Sequence, residues 1–264
     1  MLSIRVYYAD LSRLCVQACS PLLSATEKRR AAGVSNRNAR DEFVKTRTLL
    51  RLVLAKHTGQ AAAALLFGTG VRGKPVLLGT HGVHFNVSHS DGTALIAVAS
   101  AEIGIDIERI DECVDYWGVA EAVFSQSEID VLRDTAEGRR GEAFFSIWTR
   151  KEAYLKATGA GFSSDLPKIS TMASSPGAIE DHSCTSGHHP WRAFDLPAPA
   201  GFKAALVTAS SNTAIEIVDV ASIADLPMHG EALASIDWEK CVSTGLHRTR
   251  SRLTVRCSSH RCKR

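Results

Sequence analysis

The sequence predicts an α/β (α+β) protein, and three observations carry the prediction. Ser3–Tyr8, Val83–Ser90 and Ile103–Ile107 alternate at a period of two, as strands with one buried face do. Asn38–Leu54 has an amphipathic helical pattern, and Phe145–Thr158 lacks Pro and Gly and reads as a second long helix. The composition, 45% hydrophobic and 22% charged over 264 residues, is ordinary for a soluble chain able to bury a substantial core. The order of elements permits two halves, 1–104 and 105–220, followed by an extension over 221–264, although no internal repeat marks the division.

In the first strand, Ile4, Val6 and Tyr8 share a face. Ser24-Ala25-Thr26-Glu27 is a capping box, so Ser24 starts a helix carrying Lys28, Arg29 and Arg30. Along 38–54, Phe43, Leu50, Val53 and Leu54 form the buried side, while Arg40, Lys45, Arg47 and Arg51 stay polar or face a cleft. Ala61–Phe67 reads as another short helix before the glycine-rich turn 68–73. Pro75 fixes its own dihedral and keeps Lys74 extended, which defines a rigid loop. Asp91-Gly92 turns the strand 83–90 back into Ala94–Ala99, predicting a hairpin. Ser125 caps a further helix with Glu128 at its third position, and Gly159 ends the helix that begins near 145. From Ser163 to Pro199 the text lacks periodicity and predicts an irregular excursion pinned by Trp191 and Phe194; His182, His188 and His189 form no clean ligand pattern. Phe202–Ala209 and Ile215–Val220 read as a terminal hairpin. A short helix near Glu231–Lys240 then precedes a basic tail expected to be disordered.

Two acidic stretches organise the rest. Alternation puts Ile103, Ile105 and Ile107 on one side of a strand and aims Asp106 and Glu108 together from the other. On the later helix, Trp148 and Glu152 are one turn apart, and Lys156 follows a turn later. If that helix packs across the strand end, Asp106, Glu108 and Glu152 make an all-oxygen cluster beside a lysine. Such donors suit Mg2+, with Mn2+ as an alternative, because a hard dication takes a few carboxylates and completes its shell with water and phosphate oxygens.

Gly104-Ile105-Asp106-Ile107-Glu108 and Trp148-Thr149-Arg150-Lys151-Glu152-Ala153-Tyr154-Leu155-Lys156 resemble the paired signatures of the 4'-phosphopantetheinyl transferase superfamily, in the family's order and about forty residues apart. Arg47-Thr48-Leu49-Leu50, Gly73-Lys74-Pro75 and Asn86-Val87-Ser88-His89-Ser90 extend the resemblance over roughly residues 20–220. The resemblance implies a pseudo-dimer of two similar halves with the active site in the cleft between them, monomeric in the long form that this length selects. It implies transfer of the 4'-phosphopantetheine arm of coenzyme A to a serine of an apo acyl, peptidyl or aryl carrier protein, with adenosine 3',5'-bisphosphate leaving. Asp106, Glu108 and Glu152 would hold the metal. Lys28, Arg47, Lys74, Pro75, Ser88 and His89 would contact the coenzyme, with Arg29 or Arg30 as alternatives to Lys28, and Lys151 would add a phosphate contact. Lys156 would lend positive charge at the reacting centre. Glu128 keeps two roles, helix cap or acceptor of the carrier serine's proton; a water held by Glu152 is the other candidate acceptor.

Charge and cysteine usage narrow the alternatives. Six Arg and one Lys of the 31 basic residues lie in 241–264, leaving 24 against 28 acidic residues, so the body is net negative and offers no nucleic-acid channel. Seven cysteines, an odd and sparse set, read as mostly unbridged thiols without zinc spacing. The start lacks a secretory layout and no apolar run reaches about 18 residues, so a cytoplasmic protein without a membrane partner is expected. No P-loop, kinase signature or serine elbow is evident. Two other classes stand beside the transferase: another Mg-dependent phosphotransferase or hydrolase, and a noncatalytic protein that binds carriers or nucleic acid.

Overall fold

A computed structural model describes residues 1–70, 73–161, 165–172, 177–182, 191–220 and 252–256. Strand β1 (Leu2–Asp10) divides its side chains between two cores: Ile4 and Val6 face one, Tyr7 and Ala9 the other. It therefore runs through the interior, with helices α1 (Val16–Cys19), α2 (Ala25–Ala32) and α3 (Arg37–Thr58) covering one side. The Ser24–Glu27 capping box is formed at the start of α2, and Gly59, in the left-handed region at φ 71°, closes α3. A small ribbon, β2 (Phe67–Thr69) with β3 (Pro75–Leu77), leads to the hairpin of β4 (His84–Ser90) and β5 (Thr93–Ala99), whose turn takes Asp91 and Gly92 to positive φ.

Next come β6 (Ile103–Arg109), α4 (Tyr116–Val123), α5 (Gln126–Asp134) and α6 (Arg140–Thr158). The short β7 (Ile169–Ser170) and β8 (Glu180–Asp181) precede β9 (Arg192–Leu196), β10 (Phe202–Thr208), β11 (Thr213–Asp219) and β12 (Arg252–Arg256). One sheet has the order β12-β11-β1-β5-β4 and another β6-β10-β9. Ile103, Ile105 and Ile107 pack with Ile4, Val6, Leu95 and Ala97 in an apolar layer between the two sheets. α6 lies on the outer face of the smaller sheet, where Ala153 and Ala157 meet Ala205 and Val207. The order across the molecule is thus helix, sheet, sheet, helix, which agrees with the predicted mixed class.

Several expectations change. Only Ala62–Ala64 is helical within 61–67, as one 3-10 turn, because the Arg51 guanidinium takes the carbonyls of Ala62 and Leu65 and the chain then enters β2. β10 and β11 are strands but not a hairpin: β10 pairs with β6 and β9, whereas β11 crosses to run parallel to β1. The segment 105–220 therefore contributes its last strand to the sheet of 1–104. β12 pairs antiparallel with β11, replacing the expected disorder over 252–256. The excursion 163–199 includes three short strands, with Trp191 edge-on to Tyr154. The helix expected at 231–240, His188 and His189 lie outside the described residues. Among the described residues no cysteine is in a disulfide and no helix is long and apolar enough to cross a membrane.

Candidate active site

Strand β6 and helix α6 touch because residue 104 is glycine. A Cβ there would stand 1.9 Å from the Ala153 carbonyl oxygen and 2.4 Å from the Ala157 nitrogen, so any side chain would push the helix away. Asn86 fixes the other side of β6 by accepting the Ile105 N–H at 2.8 Å. With the isoleucines buried beneath, the strand turns Asp106 and Glu108 toward Glu152 and Lys156 on successive turns of α6.

Asp106 is 1% exposed. Its Oδ1 accepts from Lys156 Nζ at 2.6 Å and from Ser88 Oγ at 2.8 Å, and Lys156 also donates to Ser88 Oγ at 3.0 Å. Its Oδ2 is buried without a hydrogen-bond partner among the described residues. Burial, then the charge of Asp106, pushes the Glu108 carboxyl above the usual range; Ser90, Lys156 and the Trp148 indole oppose the shift. Glu152 is pushed up to about 7 by burial, then by Asp106, with Lys156 opposing and Glu108 adding to the rise. Like charges this close disfavour simultaneous ionisation.

Among the described residues no three His, Cys, Asp or Glu side chains converge as a ready-made metal cage. The donors nevertheless fit a hard dication. One buried carboxylate oxygen lacks a partner and two carboxyl groups resist ionising beside it, and a single bound cation relieves both conditions.

Two cavities of about 280 Å3 share Pro75, Asn86 and Val87 in their walls, and the first of them adjoins this cluster. The first reaches Lys74, Glu152 and Lys156; the second is lined by Arg30, Phe43, Arg47 and His89. Arg47 donates through Nε to Glu27 and lies 4.0 Å over the Phe67 ring, while His89 Nδ1 stands 3.3 Å from Glu42. Lys74 Nζ donates to Glu102 at 2.5 Å, to Ala157 O at 3.0 Å and to Ile103 O at 3.2 Å, tying its loop to β6 and to the end of α6.

Arg30, the alternative to Lys28, lines the second cavity, while Lys28 is exposed nearby on α2. Three of the expected roles are corrected. Ser88 is buried and spends its hydroxyl on Asp106 and Lys156, so it supports the acidic cluster instead of meeting phosphate. Lys151 is 2% exposed, donates to the carbonyls of Leu166 and Ile169 and pairs with Glu128 at 2.8 Å. Burial lowers its pKa against the pull of Glu128, and its ammonium is committed to that carboxylate and the two carbonyls. Glu128 is fully buried, closes the capping box with Ser125 and accepts from the Thr171 N–H and hydroxyl at 2.8 Å each. A carboxylate so committed cannot take a proton from a docking serine.

Other contributors were not read as such from the sequence. Trp148 stacks on Phe144, and its indole also opposes the rise of the Glu108 carboxyl. Glu27, read only as a cap, holds two arginines; its spacing from Arg47 carries no local signal.

The sequence model of the 4'-phosphopantetheinyl transferase superfamily matches residues 102–207. The chain is 36% identical over 150 residues to the 4'-phosphopantetheinyl transferase HetI of Nostoc sp., a span of 55% of this chain and 63% of that protein. It is 30% identical over 168 residues to a putative 4'-phosphopantetheinyl transferase of Synechocystis sp., covering 62% of this chain and 68% of the relative. To the L-aminoadipate-semialdehyde dehydrogenase-phosphopantetheinyl transferase of Eremothecium gossypii it is 40% identical over 143 residues, 51% of each chain. The matches therefore span from about half to about two thirds of these curated relatives.

Proposed function

This chain belongs to the 4'-phosphopantetheinyl transferase superfamily, and on that premise we propose that it moves the 4'-phosphopantetheine arm of coenzyme A onto a serine of an apo acyl, peptidyl or aryl carrier protein. The observation that carries the proposal is the junction of β6 with α6, where the unpartnered oxygen of Asp106, the perturbed Glu152 and the cation Lys156 meet beside a cavity that adjoins a cationic one. An acidic, metal-suited point next to a phosphate-suited wall is what transfer between phosphate oxygens requires.

Arg30, Arg47 and His89 offer donors to the phosphates of the coenzyme, and the Lys74-Pro75 loop forms the wall common to both cavities. Asp106, Glu108 and Glu152 would hold Mg2+ or Mn2+, which when bound supplies positive charge to the pyrophosphate oxygens. Lys156 adds a fixed positive charge at the same place. Glu152, or a water that it holds, accepts the proton of the carrier serine. The serine oxygen bonds to the β-phosphorus as the bond to the bridging oxygen breaks, and adenosine 3',5'-bisphosphate departs.

Intact-mass analysis of a panel of apo carrier proteins, incubated with this protein, coenzyme A and Mg2+, tests the reading. A phosphopantetheine-sized gain on the carrier serine, lost with a chelator, is expected. Hydrolysis of coenzyme A with every carrier unmodified, or binding to carriers without transfer to any, would assign the chain to one of the other two classes.

A further inference from the structure

The cationic cavity rests on an acid to which the reaction gives no role. Glu27 is 7% exposed, and both its oxygens are taken: one accepts from Arg47 Nε, the other from Arg51 Nε at 2.8 Å and from the Ser24 N–H at 2.8 Å. Arg51, 1% exposed, also brings Nη2 within 2.7 Å of Glu27 and passes Nη1 to the Ala62 and Leu65 carbonyls. The Phe67 ring lies 4.0 Å from the Arg47 guanidinium and 5.1 Å from that of Arg51. Arg47 is thus fixed at its Nε edge and against one ring face. Among the described residues its two terminal nitrogens take no protein hydrogen bond, and it lines the cavity.

Resting on the function proposed above, we infer that Glu27 is a positioning residue for the coenzyme, aiming Arg47 at a phosphate while the buried Arg51 holds Glu27 in place. Burial acts to raise the Glu27 carboxyl, but the bonds from Arg51, Arg47 and Ser24 prevail and keep it below the usual range, so it anchors as an anion. The alternative role has the opposite sign. A bare negative charge repels phosphate, and neutralising it strengthens binding; an anchor preorganises Arg47, and removing it weakens binding. The geometry favours the anchor. Two arginines offset the charge of Glu27, whereas nothing else among the described residues fixes the Arg47 Nε.

The experiment is calorimetric titration of the full chain with adenosine 3',5'-bisphosphate, comparing wild type, Glu27→Gln and Glu27→Gln/Arg51→Met, each with and without Arg47→Ala. Glutamine still serves a capping box. The double substitution removes the buried cation with its partner, leaving net charge unchanged and no buried charge unpaired, so it carries the test if the single variant folds poorly. We expect the double variant to bind about tenfold more weakly, and Glu27→Gln to bind more weakly despite its added positive charge. Both effects vanish in the Arg47→Ala background. Equal or tighter binding by the folded double variant overturns the positioning role, and a loss that persists without Arg47 overturns action through it. A wild type that binds neither the bisphosphate nor coenzyme A overturns the functional reading itself.

Discussion

Glu152 shows how the acidic cluster trades stability for readiness to hold a cation. Its folded pKa of about 7 lies above the ordinary 4.5, so the folded chain binds the proton more tightly than the unfolded one. The contribution of this group is complete below about pH 4.5 and is lost as pH rises through about 7. Glu108, shifted in the same direction, adds to the effect. Melting in chelator from about pH 5 to about pH 8 is therefore expected to show a fall in Tm that Glu152→Gln reduces, and Mg2+ should raise Tm more at the upper pH than at the lower. A wild type and Glu152→Gln with parallel pH profiles would remove the charge-crowding account. Asp106→Ala gives a second test at this scale. The fold should persist, while transfer measured by carrier mass falls by about a hundredfold or more, because the variant loses the orphaned oxygen and the anchor of Lys156 together; near-normal transfer would move the metal site elsewhere.

At the scale of elements, Gly104 and the pair Glu128–Lys151 decide how β6, α5 and α6 meet. Gly104→Ala places a methyl group inside the Ala153 carbonyl contact, so denaturant unfolding should show a loss of about 3 kcal/mol or more; an unchanged midpoint would mean that α6 shifts at little cost. Glu128→Gln leaves the Lys151 ammonium buried without its counter-ion and should cost about 3 kcal/mol in the same assay, while kcat of the folded fraction stays within a few fold. A kcat collapse without loss of stability would restore Glu128 as the base. These elements also show what the sequence makes legible. Both capping boxes, the α3 and α6 helices and the β4–β5 hairpin follow from patterns contained within a few residues. Glu128 could not be assigned locally, because a cap and a base use the same carboxylate; its pairing with Lys151 and Thr171 arises only when α5, α6 and the segment after it pack.

Across the whole molecule, the longer strands were legible, but of their pairings only the β4–β5 hairpin was. The apolar content of 202–209 and 215–220 reads as strand, and says nothing of which edge each will pair with. Short links favour hairpins, yet residues 209–212 carry the chain from the smaller sheet to the larger, where β11 pairs parallel to β1 and continues to β12. This crossing interlocks the segments 1–104 and 105–220, between which the first cavity is shared: Lys74 and Pro75 come from one, Glu152 and Lys156 from the other. The pairing of β12 separates two uses of the chain's end. Every described residue lining the cavities lies between Arg30 and Gly161, so truncation after Val220 should leave affinity for adenosine 3',5'-bisphosphate within about twofold. It also strips the β12 partners from β11, so Tm should fall, and moves the open sheet edge from β12, which carries Arg252 and Arg256, to β11, so the shortened protein should self-associate more readily in light scattering. Unchanged Tm and dispersity would show that β12 adds nothing to the sheet. Loss of bisphosphate binding by a truncated chain that remains folded would instead make the basic end part of the ligand site, reversing the assignment of anion binding to Arg30, Arg47 and His89.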